Sequence, residues 1–394
     1  MRLSIERANG VLAAPPSKSA LHRRLILNAI AGRFESPEAP CTDVSVTAKA
    51  LPDLNQGSPV DLSDCGAALR FLLPVSLLFS GGSFTGSRRL SERPILPLID
   101  VLRAHGATVS ANSLPFSVSG TLMPGDYALD GGVSSQFFSG LMLTLPFLPG
   151  DSTLRWISPP VSAGYIALTE RMLKEHGVTL IRTSSGYQIP GSQKPLALPL
   201  NVEGDWSCSA PMLILGAILG SVTVTCLDPD SEQPDRRILD VLRQCGARVA
   251  VDGKSVTVSK GKLTGFKYDG EPAPDLVPVL AALACASEGD SVLYRLGRLR
   301  DKESDRFAAL LGLLRSLGAD YETEGDRTIV IHGHGSIPGG TADIPADHRM
   351  VMAAALMSAA SAKPVRISDT QCLGKSYPGF LQDFQSIGGT VHAI

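Results

Sequence analysis

The sequence predicts a mixed α/β (α+β) chain of two domains, each built from three similar units with helices inside and strands outside. Three observations lead there. Five segments share one pattern of amphipathic helix, glycine and alternating polar strand: VLRAHGATVSA, RMLKEHGVTLI, VLRQCGARVAV, LLRSLGADYET and FQSIGGTVHAI. Their glycines, Gly106, Gly177, Gly246, Gly318 and Gly388, are separated by 71, 69, 72 and 70 residues. A period near 70 is too long for a solenoid of helix pairs and suits a compact unit of two helices and several strands. The 394 residues hold between five and six such units, enough for two domains of three.

Each element of that reading has a local cause. The five glycines sit where a helix ends in a left-handed conformation that only glycine adopts without strain. The residues after them alternate as strands, and Asp252-Gly253 and Gly325-Asp326 are turn pairs that close two hairpins. A second class of helix is apolar on every face: Phe137 to Leu148, Ala210 to Leu219, Leu276 to Ala286 and Met350 to Ala360. Such helices are buried, which leaves the strands to form the outer layer.

Composition narrows the function. Apolar residues make up 44% of the chain and charged residues 19%, an ordinary globular balance. With 36 basic and 38 acidic residues the net charge is −2, so no broad positive field exists and nucleic acid is not an expected partner. The seven cysteines (41, 65, 208, 226, 245, 285 and 372) form no CxxC pair. That points away from disulfides and zinc and towards a reducing compartment, so a cytoplasmic location is expected. The opening MRLSIERANGVLAAPPSKS has no basic-then-apolar leader pattern, and no apolar run is long enough to span a bilayer.

The chemistry shows in basic residues at helix starts. A helix N-terminus is already positive, so Lys and Arg are unfavourable there unless an anion is to be held. Six starts break the rule: Lys18 with Arg23 and Arg24, Arg70 behind Asp64-Cys65-Gly66, Arg93, Lys302 with Arg306, Arg349, and Lys375. Ser134-Ser135-Gln136 and Ser207-Cys208-Ser209 add polar starts that plain N-capping also explains. Neither GxxxxGK[ST] nor a dinucleotide fingerprint nor HExxH occurs. Acids, bases and anion clamps are expected to do the work, with no metal and no cofactor.

At these residues the chain resembles the 3-phosphoshikimate 1-carboxyvinyltransferase (EPSP synthase) family. The matching segments are Pro16-Ser17-Lys18-Ser19 with Arg23, Leu90 to Ile95, Ser134 to Phe137, Gly204 to Ser207, Pro274-Asp275, Lys302 to Arg306, Asp347 to Met350 and Lys375 to Pro378. They occur in family order along nearly the whole chain. The resemblance implies three βαβαββ units in each of two domains. One domain is formed by residues 1–16 and 203–394, the other by the inserted 17–202, with the active site in the cleft between. It implies a monomer that uses only small-molecule substrates and transfers the enolpyruvyl group of phosphoenolpyruvate to the 5-hydroxyl of shikimate 3-phosphate, releasing phosphate.

The same resemblance assigns roles. Asp275 faces the substrate hydroxyl as base, Glu303 donates a proton, and Lys18 touches both substrates. Ser19, Arg23, Ser134, Ser135, Gln136, Ser162, Tyr165 and Lys302 belong to shikimate 3-phosphate. Gly66, Arg93, Gln136, Arg306, Arg349 and Lys375 belong to phosphoenolpyruvate. From the residues alone, Asp275 reads as an N-cap, Tyr165 as packing and Gly66 as helix-start geometry. Three departures stand out. Asp64 and Ala67 replace the usual Asn and hydroxyl residue, Arg298 stands where an Asn commonly precedes the Lys-Glu motif, and the chain is short enough to suggest trimmed hairpins. The related UDP-N-acetylglucosamine enolpyruvyl transferases share the chemistry but carry a cysteine-bearing loop absent between Ser80 and Arg93. A non-catalytic anion-binding relative is the other alternative, supported only by the altered Asp64–Ala67 loop.

Overall fold

A computed structural model describes residues 1–38, 40–368 and 370–393. The chain forms two compact units: Met1–Ser17 with Glu203–Ile394, and Lys18–Val202. Ser17, which the sequence reading puts in the inserted segment, groups with the first unit because its N–H donates to Glu203 O at 2.8 Å. Beside it the Asp205 N–H donates to Pro15 O at 2.8 Å, so the outgoing and returning strands of chain are hydrogen-bonded to each other.

The inserted unit holds helices α1 (Lys18–Ile30), α2 (Thr42–Gln56), α3 (Gly66–Val75), α4 (Arg88–Glu92), α5 (Leu96–Ala104), α6 (Ser135–Met142) and α7 (Ala163–Glu175). Two four-stranded sheets accompany them. One runs Val60–Asp61, Gly82–Thr85, Phe116–Gly120, Ala107–Val109; the other Asp126–Leu129, Ser152–Trp156, Gly186–Ile189, Ile181–Thr183. In both, the first strand pairs in parallel with the second, and the last two close as an antiparallel hairpin. A parallel pair needs a crossover, and the crossover here is an inner helix, α3 or α6.

The unit formed by both chain segments adds α8 (Trp206–Leu219), α9 (Ile238–Gln244), α10 (Val277–Cys285), α11 (Arg306–Ser316), α12 (His348–Met357) and α13 (Phe380–Ser386). Three sheets repeat the same order. They are Asn9–Ala13, Ser221–Thr225, Ser255–Ser259, Arg248–Asp252; then Lys267–Asp269, Glu288–Tyr294, Thr328–His334, Tyr321–Glu324; then Thr341–Ala342, Val365–Ile367, Arg2–Ile5, Gly389–His392. In the first of these, Asn9–Ala13 pairs in parallel with Ser221–Thr225 across the whole inserted unit. In the last, the third place is taken by the N-terminal strand, which pairs with Val365–Ile367 on one side and Gly389–His392 on the other.

The inner helices are α8, α10 and α12, and every residue of α10 and α12 is buried. They pack on one another, and their apolar side chains join one core with the inward faces of the three sheets. Each fully buried Leu, Val or Met contributes about 1.5–3 kcal/mol, so this layer carries much of the unit's stability. All five repeat glycines have positive φ, from +73° at Gly318 to +119° at Gly388, the left-handed helix ends that the spacing predicts. The last repeat segment ends at Ile394, which lies outside the described residues.

One expectation is corrected. Three sheets per domain requires six, and the described residues form five four-stranded sheets. Among the described residues the sixth unit keeps α1 and α2 but forms no sheet. Prolines at 37, 40, 195 and 199 interrupt the segments available for it, and proline cannot donate to a ladder. The Asn28 side chain ties that segment down instead: its Nδ2 donates to Leu198 O at 2.7 Å and its Oδ1 accepts from Leu198 N at 2.9 Å.

Close packing of α6 on α3 rests on Gly140, where an added Cβ would lie 2.3 Å from Arg70 O. The obstacle is backbone and cannot swing away. Gly140→Ala is expected to lower stability by about 1–3 kcal/mol. Gly312→Ala, on exposed α11 surface with nothing within 4 Å of the new methyl, should be neutral or slightly stabilising. Thermal unfolding of the two variants checks this, and equal midpoints would contradict it.

Candidate active site

The repeat decides where side chains with chemistry fall. In each unit the turns that follow the first two strands lead into helix N-termini. Lys18, Gly66, Ser134 to Gln136, Asp275 and Arg349 occupy starts of inner helices. Ser162, Lys302 to Asp305 and Lys375 lie between a second strand and the helix after it, Arg306 opens α11, and Arg93 lies between α4 and α5. Ligands of α/β sheets bind outside the carboxyl ends of strands because these turns present free N–H groups and a positive dipole there.

In the first unit these turns build one cluster around Arg306, whose side chain is 1% exposed. Its Nε donates to Asp347 Oδ2 at 2.8 Å, Nη1 to Asp275 Oδ1 at 2.8 Å, and Nη2 to Glu303 Oε2 at 2.6 Å. Lys302 Nζ reaches the same Asp275 oxygen at 3.1 Å. Arg349 Nη2 lies 3.8 Å from Asp275 Oδ2, while its Nη1 donates to Ser207 O at 3.0 Å. The starts of α8, α10 and α12 therefore converge on one charged patch. Asp275 is no N-cap: it sits in the turn Pro274–Leu276, and its carboxylate is spent on cations. Lys375 lies in its own turn, Gln371–Lys375.

The electrostatics follow from that crowding. Burial raises the Asp275 carboxyl, but Lys302, Arg306 and Arg349 outweigh it and hold it well below the usual range. Asp347 is likewise raised by burial and lowered further by Arg306. Burial lowers Lys302, and Asp275 only partly restores it, with Arg298 pushing the same way as burial. Arg298 itself donates to Glu271 O at 3.4 Å. Arg306 moves upward, the carboxylates of Asp347, Glu303 and Asp275 overcoming its burial. His348, beside Arg349, lies 3.7 Å from Asp347 Oδ1.

The second unit carries a second cluster. Lys18 Nζ donates to Asp43 Oδ2 at 2.8 Å, and Asp43 sits at the start of α2. Gly66 opens α3 against two guanidinium groups: a Cβ there would fall 2.5 Å from Arg93 Nη1 and 2.7 Å from Arg70 Nη1. Arg70 donates to Gly66 O at 3.0 Å and to Pro94 O at 2.8 Å, which fixes Gly66 and the chain beside Arg93 together. Asp64 accepts from the Ser87 hydroxyl at 2.9 Å. Cys65 caps α3, its Sγ accepting from Ala68 N at 3.4 Å.

Arg23 is 2% exposed and mostly committed within the unit. It donates to Ser19 O, Thr169 Oγ1, Ser139 Oγ and Tyr165 O between 2.6 and 3.1 Å, tying α1 to α6 and α7. Burial pushes it down to about 9, which still leaves it charged at neutral pH. It has no carboxylate partner among the described residues, and four of its five N–H groups are engaged. Arg24 is a tether, bonded to Glu175 at 2.6 Å and to Pro199 O at 3.0 Å. Ser134 caps α6, its Oγ accepting from Gln136 N at 3.3 Å; Ser135 is the first residue of the helix. Ser162 has φ +49° at the start of α7 and makes no side-chain cap. Tyr165 uses its backbone carbonyl, while its ring packs on the core.

Two site residues escape sequence reasoning. Asp43 looks like any acidic residue in a first helical turn, so the sequence carries no signal for it. Asp347 had one: it is the favoured N-cap type immediately before a basic start. Among the described residues no group of three His, Cys, Asp or Glu could hold a metal ion.

The chain matches the family model for EPSP synthase (3-phosphoshikimate 1-carboxyvinyltransferase) over residues 38–384. It belongs to the EPSP synthase family. The 3-phosphoshikimate 1-carboxyvinyltransferase of Clostridium kluyveri is 35% identical, covering 98% of this chain and 96% of that protein. The protein of the same name in Methanocorpusculum labreanum is 32% identical, covering 98% and 99%. An EPSP synthase structure from Acinetobacter baumannii superposes with a TM-score of 0.80 at 23% identity over 100% of both chains. The enolpyruvyl transferase NikO from Streptomyces tendae gives 0.75 at 16% identity, covering 99% of this chain and 98% of that one. These two likenesses show the fold.

The depressed carboxyls have a consequence for stability. Asp275 is lower in the folded than in the unfolded chain, so its contribution is complete above the unfolded value and lost as pH falls through the folded one. Asp275→Asn is expected to cost about 1–3 kcal/mol at pH 7. The gap from wild type should hold from about pH 5 to 7 and narrow below about pH 4, near the unfolded carboxyl. Urea midpoints across that range check this, and a gap that persists to acid pH would contradict it.

Proposed function

We propose that this enzyme transfers the enolpyruvyl group of phosphoenolpyruvate to the 5-hydroxyl of shikimate 3-phosphate, giving 5-enolpyruvylshikimate 3-phosphate and phosphate, on the route to chorismate and aromatic amino acids. Family membership supports the reaction. The observation that carries it to particular residues is the Asp275–Lys302–Arg306–Glu303–Arg349 cluster, two exchangeable carboxylates held among cations at helix starts.

The reaction has three demands: a hydroxyl oxygen must add to C2, a proton must reach C3, and phosphate must leave. Asp275 takes the hydroxyl proton. While Lys302, Arg306 and Arg349 grip it, Asp275 is too weak a base. Substrate anions that engage those cations screen them from it and let its pKa climb. Glu303 exchanges the proton at C3. Lys18, released from Asp43, bridges the two substrates as a charge. Arg93, Arg306, Arg349 and Lys375 hold phosphoenolpyruvate, and arginine forks suit its planar carboxylate and its phosphate. Gly66 leaves room for Arg93, and Gln136 adds an amide donor. Lys302, Ser19, Ser134, Ser135, Gln136, Ser162 and Tyr165 take shikimate 3-phosphate. Arg23 has one N–H left for it and acts mainly by fixing Ser19.

On this reading residues 1–16 with 203–394 and the inserted 17–202 serve one reaction, each half bringing its own cations. A single chain supplies both sets, so a monomer suffices. The seven cysteines as free thiols suit the cytoplasm, and no helix among the described residues is long and apolar enough to cross a membrane.

Phosphate release from phosphoenolpyruvate tests the assignment. Shikimate 3-phosphate should support it and UDP-N-acetylglucosamine should not. Asp275→Ala should slow it by about 10²–10⁴-fold. Release with the nucleotide sugar, or full activity without Asp275, would sink the assignment. Gly66→Ala meets only side-chain ends, so Arg93 can shift and the fold should persist. It should raise KM for phosphoenolpyruvate roughly tenfold, the loss of about one charge-assisted hydrogen bond. An unchanged KM would remove Arg93 from the site.

A further inference from the structure

Arg306 has three carboxylate partners, and they are not equivalent. Asp347 is fully buried, whereas Glu303 keeps 14% and Asp275 28% of its side chain exposed. Asp347 also takes the guanidinium from the side, receiving Nε at 2.8 Å and Nη2 at 3.2 Å. Its remaining acceptor sites are filled by Ser304 Oγ at 2.9 Å and the Arg349 backbone N–H at 2.9 Å. A carboxylate has about four acceptor positions, so each Asp347 oxygen receives two donors. No solvent-borne anion can displace it. Asp275 and Glu303 instead hold the outer N–H groups of Arg306, where an incoming anion can compete.

We infer that Asp347 is a positioning residue: a permanent counter-ion that locks Arg306 side-on, sets the start of α12 from which Arg349 projects, and so aims both arginines at phosphoenolpyruvate. This rests on the proposed function. One carboxylate registers two cations from different helices, α11 and α12. The Arg349 Nε has no hydrogen-bond partner among the described residues, so this guanidinium is held by that helix start, the Ser207 carbonyl and a longer 3.8 Å ion pair with Asp275. Asp275 and Glu303 are then exchangeable partners that substrate relieves, while Asp347 keeps Arg306 from following either of them.

The competing role is plain N-capping of α12, and chemistry separates the two. Asn caps a helix as well as Asp does but carries no charge. If Asp347 only caps, Asp347→Asn leaves catalysis unchanged. If it positions, Asp347→Asn raises KM for phosphoenolpyruvate by about tenfold or more, the scale of one misplaced charge-assisted pair. KM for shikimate 3-phosphate should stay within about twofold. Ser304→Ala removes one of the four donors and should move KM for phosphoenolpyruvate in the same direction by a smaller factor, which covers the case of an Asp347 variant that does not fold. Steady-state kinetics on the full chain, with thermal midpoints, read this out. An unchanged KM for phosphoenolpyruvate in the folded variants overturns the inference. So does a loss spread evenly over both KM values and kcat with a lowered midpoint. If wild type shows no turnover, the function falls instead, and titration of phosphoenolpyruvate by intrinsic fluorescence still decides this point: equal affinity for wild type and Asp347→Asn overturns it.

Discussion

A guanidinium that is 1% exposed cannot remain charged inside a protein without counter-charges, and Arg306 organises the first unit around that constraint. Its partners come from three places in the chain: Asp275 before α10, Glu303 before α11 and Asp347 before α12. Holding them within hydrogen-bond reach requires the helix starts to converge, and convergence requires those inner helices to pack without polar interruption. The all-apolar composition of α10, and of α12 from Met350 onward, and the charged patch at their starts are therefore one design. A buried polar side chain along either helix would move the patch as well as weaken the core.

On the proposed function, the same patch carries a cost to catalysis that substrate binding removes. Cations that stabilise ionised Asp275 also make it a poor base, and its carboxyl lies well below the ordinary range. On the proposed function, anionic substrates resolve the conflict by engaging Arg306, Arg349 and Lys302. Lys18 with Asp43 in the inserted unit fits the same proposed logic: an internal carboxylate holds the cation in the place a substrate anion would take.

The repeat was legible in the sequence because glycine in the left-handed region has no easy substitute. Gly106, Gly177, Gly246, Gly318 and Gly388 announce five helix ends, and each has positive φ. The inner helices were legible because burial on all sides leaves no polar face. The absence of a sixth sheet among the described residues was not, since it follows from prolines spread over segments far apart in the chain, with Asn28 as a replacement tether. Basic residues at helix starts showed the site because they oppose the dipole. Asp43 and Asp347 agree with the dipole, so the rule that exposes Lys18 and Arg349 hides their partners.

That asymmetry bears on how Arg23 and Arg24 divide. Both are buried and adjacent, and it is the family resemblance that points to Arg23 for the ligand. Arg24 has a carboxylate, Glu175, and ends as a structural tether. Arg23 has only neutral acceptors: two carbonyls and two hydroxyls. A buried cation satisfied by dipoles alone keeps its full charge uncompensated, which draws an anion towards the start of α1. Four fixed bonds make it a rigid source of field rather than a moving clamp. On the proposed function Lys18, on a flexible stem and held by a single carboxylate contact to Asp43, is the better placed to follow substrates through the reaction.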